Sequence, residues 1–130
     1  MSKKIASGAT DIVIDVKVGK GALIKHIEDA RKLSHIMINI GKYYNRKVIC
    51  ILTDMNMPLG THIGNSLEVE EAIQVLKGHG EKKLNKLCIT LATYMVHLGL
   101  EIPLSEAKEK VVETLENGNA LEKFYEFIKY

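Results

Sequence analysis

The chain has 130 residues, 46% hydrophobic and 26% charged, enough for one domain with a real core. Eighteen basic against 16 acidic side chains leave a net charge of +2, which offers no broad basic face for nucleic acid. No apolar run reaches the roughly 18 residues that span a bilayer, and the N-terminal "MSKKIASGATD" lacks the apolar core of a signal peptide. Cys50 and Cys88 have no CxxC neighbour. They read as two buried thiols in a reducing, cytoplasmic setting.

Taken in chain order, residues 2 to 8 look like the end of a helix stopped by Gly8. "DIVIDVKV" (11–18) is rich in β-branched residues and predicts a largely buried strand. "ALIKHIEDARKLSHIMINIGKYY" places Leu23, Ile27, Ala30, Leu33, Met37 and Ile40 at helical spacing, with Gly41 near the end. "RKVICILTD" (46–54) predicts a second strand, and β-α-β order favours a parallel pair with a right-handed crossover. After the glycine-bearing loop "MPLGTHIGN" comes a helix over 66–78, with Ser66 as N-cap, acids in the first turns and Gly78 as stop. Three more helices follow: "KKLNKLCITLATYMVHLGL", a segment started by Pro103 and Ser105, and Asn119 to Tyr130.

The class is therefore α/β: two parallel strands with a crossover helix, then helices. No third strand is visible after residue 54. Two parallel strands make a poor free-standing sheet, so the expectation is a slice of a larger mixed α/β sheet. The long apolar helix predicts self-association of the isolated piece.

Two short stretches invite functional readings. In "DVKVGKGALI", Gly19 and Gly21 begin a dinucleotide fingerprint, but Ile24 occupies its third glycine position and no Walker loop is present. What remains is either an anion-binding turn at a helix N-terminus or a structural βα turn, and the structural turn is favoured. "TDMNMPLG" imitates the phosphoacceptor region of a receiver module at Asp54, yet the later strands of a receiver are missing. His26, His35, His62, His79 and His97 show no metal-ligand spacing and read as surface or packing residues.

Read together, "MSKKIASGATDIVIDVKVGKGA", "RKVICILTDMNMPLGTHIGNSLEVEEAIQVLKG" and "LENGNALEKFYEFI" resemble the pyrimidine-nucleoside and thymidine phosphorylase family across essentially the whole chain. The family is a two-domain enzyme, and the chain looks like an internal slice of it. Residues 1–65 would belong to the α/β domain, 66–78 to a hinge-region helix, and 79–130 to further helices. Met1 would be a methionine internal to the longer sequence. Met57, Ser66 and Leu23-Ile24 depart mildly from the family pattern.

The resemblance implies phosphorolysis: phosphate attacks the anomeric carbon of a pyrimidine nucleoside, giving free base and (deoxy)ribose 1-phosphate. Such chemistry needs an aligned anionic nucleophile and a donor for the charge gathering on the leaving base. Lys3, the first lysine of "SKK", matches the family lysine that binds the pyrimidine ring. The resemblance also implies a potassium ion held by the backbone carbonyls of Leu59 and His62 and by the carboxylate of Glu71, with no organic cofactor. A homodimer is the implied assembly. The family's K-H-S-T-G-G and R-D-V-T segments are not among these 130 residues, so the chain alone is expected to be inactive. The alternatives are a receiver-like signalling module and an inactive helical remnant.

Overall fold

The computed structural model describes residues 1–129. The order is α1 (Ser2–Ala6), β1 (Asp11–Val18), α2 (Ile27–Tyr43), β2 (Lys47–Asp54), α3 (Asn65–Leu76), α4 (Lys82–Leu100), α5 (Leu104–Glu116) and α6 (Asn119–Ile128). The chain forms two compact units. One holds Met1–Pro58 and His97–Glu101, the other Leu59–Val96 and Ile102–Tyr130.

In the first unit β1 and β2 pair in parallel, from Asp11 opposite Lys47 to Val18 opposite Asp54. Their β-branched residues suit a pleated surface, and Ile12 and Val16 are buried. The crossover helix α2 begins with Glu28 and Asp29, which complement its N-terminal dipole. Its buried residues are Ala30, Ser34 and Gly41. These small residues let the helix lie close on β2, where Gly41 meets Val48 and the Cys50 thiol reaches the Ser34 carbonyl at 3.9 Å.

Three expectations change here. Residues 22–26 are not helical: Ile24 bridges to Val18 and extends the strand geometry before α2 starts at Ile27. Leu23 consequently sits at 98% exposure and takes no part in an apolar stripe. The stripe itself is narrower than its spacing promised, because a two-stranded sheet covers little of the helix; Ile27 and Leu33 stay exposed. The two cysteines are half-buried, not buried.

In the second unit α3 is capped by Gly64, with Ser66 inside the first turn, and no side-chain cap bond forms. It ends as expected: Gly78 adopts φ +80° and donates its N–H to the Val75 carbonyl. Pro103 precedes the first residue of α5. Gly118, at φ +81°, separates α5 from α6. The expected last residue, Tyr130, lies outside the described residues. Among the described residues no single helix is long and apolar enough to cross a membrane.

Candidate functional site

The glycine turn after β1 is closed on itself. The Gly19 N–H donates to the Ile24 carbonyl, Gly21 to Met55 and Ala22 to Gly19. Lys20 donates its N–H to Asn56 Oδ1 at 3.1 Å. The Lys25 ammonium then covers the carbonyls of Lys20 and Ala22, at 2.8 and 2.6 Å. Four successive N–H groups are thus committed within the protein, and none is offered to an anion. Both glycines are needed for the packing. A Cβ at Gly19, where φ is +135°, would lie 2.8 Å from the Asn56 nitrogen, and one at Gly21 would lie 2.8 Å from the Met55 carbonyl.

Asp54 ends β2 and holds the next turn. Its Oδ1 accepts the Asn56 N–H at 3.1 Å and also the Asn56 side-chain amide. No strand follows it among the described residues, so the scaffold of a receiver module is not formed. Lys3 lies exposed on the five-residue helix α1.

The other three sequence-predicted site residues, Leu59, His62 and Glu71, fall in the second unit. Glu71 is the anchor. It projects from α3, one of that helix's two buried residues, with 6% exposure. Its Oε1 accepts the Thr61 N–H at 2.7 Å and the Thr61 hydroxyl at 2.8 Å. The His62 ring stands beside the same oxygen, with Nδ1 at 3.4 Å from Oε1 and 3.0 Å from Thr61 Oγ1. Since the hydroxyl hydrogen points to Glu71, Thr61 Oγ1 accepts when Nδ1 carries the proton. Among the described residues Oε2 receives only the His62 N–H, at 3.4 Å.

The electrostatics are correspondingly uneven. The Thr61 N–H, ahead of the Thr61 hydroxyl and His62, holds the Glu71 carboxyl below its ordinary range, against burial, which pushes it up. All these groups are hydrogen-bond donors, and none is a lysine or arginine. A second acid is close enough to feel Glu71. The N–H groups of Lys83 and Leu84 lower the Glu81 carboxyl, while the Glu71 charge works in the opposite direction. Glu71 is therefore a buried anion with one oxygen well satisfied and the other nearly bare.

This donor set fits a hard cation bound through oxygen, as carboxylate and carbonyl ligands do. Among the described residues no group of three or more His, Cys, Asp or Glu side chains gathers to hold a metal ion, so such a site would need the carbonyls. Sequence reasoning missed Gly60 and Thr61. The only signal was a glycine standing between two candidate ligands; the Thr61–Glu71 bond spans ten residues from a loop to a helix and leaves no local pattern.

Residues 1–121 match the glycosyl transferase family, a/b domain. The chain belongs to this family. It is also 51% identical, over 99% of its length, to the pyrimidine-nucleoside phosphorylases of Staphylococcus aureus strains bovine RF122 / ET3-1, USA300 and NCTC 8325. It spans 30% of the length of these curated relatives. Its α/β architecture, with a two-stranded parallel sheet, is consistent with a slice of a larger domain of that family.

Proposed function

We propose that the chain is part of a pyrimidine-nucleoside phosphorylase, a pentosyltransferase of nucleoside salvage. Its substrates would be a pyrimidine (deoxy)nucleoside and inorganic phosphate; its products, free base and (deoxy)ribose 1-phosphate. The observation that carries this reading is the 51% identity to proteins of that name along nearly the entire chain. The active assembly is a cytoplasmic homodimer in this reading. Residues 1–65 belong to its α/β domain, 66–78 to the hinge helix and 79–130 to helices packed on both domains. In this reading the isolated 130 residues would not turn over substrate on their own.

Lys3 would meet the base. An ammonium at the ring stabilises negative charge that exists only as the glycosidic bond breaks, so it favours the transition state over bound substrate. Potassium would sit on the carbonyls of Leu59 and His62 and on Glu71. When bound, the ion neutralises the buried carboxylate. The bare Oε2 and the absence of a lysine or arginine among the groups acting on Glu71 support that placement.

The test is a graft: residues 1–130 replace the matched segment of the Staphylococcus aureus relative. The graft should release uracil or thymine from uridine or thymidine with phosphate, while the isolated chain stays at the buffer control. Lys3→Ala in the graft should lower kcat/KM by about a hundredfold or more. A soluble, folded graft that releases no base would overturn the reading.

A further inference from the structure

We propose that Thr61 is the positioning residue of the Glu71 site, holding Oε1 so that Oε2 alone is the carboxylate ligand for the cation. This inference rests on the potassium placement above. Three observations carry it.

The first is asymmetry. Thr61 binds Oε1 twice, at 2.7 and 2.8 Å, whereas Oε2 has one long contact of 3.4 Å. Two bonds from one residue fix the plane of the carboxylate. Without them it would rotate and share its donors between both oxygens. The second is burial. At 6% exposure Glu71 has little water to complete the shell of Oε2, and an under-satisfied buried anion is costly. Nearby Glu81 adds negative charge and no relief. The third is space. A Cβ on Gly60 would collide with Oε2 and come within 2.8 Å of the Glu71 carboxyl carbon. Oε2 can lie this close to the loop backbone only because residue 60 has no side chain. Gly60 holds φ +76°, a conformation that also favours glycine.

Removing the Thr61 hydroxyl leaves Oε1 with the backbone N–H as its one short bond. The carboxylate then has less reason to keep Oε2 free, and cation affinity falls. Hydrogen-bond partners of metal ligands typically change affinity by about 10–100-fold, and the lower end applies because the Thr61 N–H remains.

The test follows the thermal midpoint of the 130-residue chain as potassium chloride replaces choline chloride at constant ionic strength. Wild type should show a saturable, potassium-specific rise. Thr61→Val and Thr61→Ala should each need about tenfold more potassium for half that rise, and Thr61→Ser, which keeps the hydroxyl, should follow wild type. The two deletions perturb packing differently, so a shift common to both reports the lost hydroxyl. Potassium curves for both that overlay wild type would overturn the positioning role. A wild-type midpoint that does not distinguish potassium from choline would instead remove the cation reading, and this inference with it.

Discussion

The two strands are each followed by a glycine-bearing loop, and the loops do opposite things. After β1, residues 19–22 turn their N–H groups inward onto Ile24, Asn56, Met55 and Gly19. The turn is complete as it stands. After β2, the segment from Gly60 to His62 wraps one oxygen of a buried carboxylate and leaves the other almost unbonded. The loop after β1 carries the more suggestive glycine pattern, yet the N–H groups of Gly19, Lys20, Gly21 and Ala22 are all taken within the protein. The loop after β2 has the sequence of a plain connection and holds an unbalanced charge. Spacing of glycines therefore says less about ligand binding than where the N–H groups and lone pairs end up.

Breaking the loop after β1 should have the larger effect. Gly19→Ala places a Cβ against Asn56 at a φ of +135°, which should cost roughly 1–3 kcal/mol in stability, read as a lower urea midpoint. A midpoint equal to wild type would mean that the turn is not locked as described.

Acid should loosen the loop after β2. The Glu71 carboxyl is lowered from its ordinary value of 4.5, first by the Thr61 N–H. The unfolded chain thus binds this proton more readily than the folded one. The associated stabilisation is present above about pH 4.5 and is lost as pH falls through the folded-state value. Amide-exchange protection at Thr61 and His62 should decline in that window, and Glu71→Gln should remove the decline. Protection that holds unchanged into strong acid would contradict the clamp. The smallest effect belongs to Leu23→Ala. At 98% exposure its removal should change stability by no more than about 0.5 kcal/mol, and a larger loss would restore it to the apolar face that its spacing implies.

Much of the fold was legible in the sequence. Dense β-branched residues marked both strands, and their β-α-β order gave the parallel pair. Gly8 and Gly78 ended their helices where expected. The start of α2 was not legible, because helical spacing from Leu23 onward does not reveal that Ile24 bridges to Val18. Nor was the cap of α3: Ser66 has the right chemistry, but Gly64 has the conformation. For the site, resemblance pointed to Leu59, His62 and Glu71 one by one. That Glu71 is buried and fixed through Thr61 depends on how a loop meets a helix ten residues later, which composition and periodicity do not encode.

The most direct measurement is a pair of titrations on the nitrogen-15-labelled chain, following backbone amides by NMR. Potassium should shift the Thr61 and His62 amides, while inorganic phosphate leaves those of Gly19, Lys20, Gly21 and Ala22 in place. Shifts at the glycine turn with phosphate, and none at Thr61 or His62 with potassium, would contradict the assignment of one closed loop and one open one.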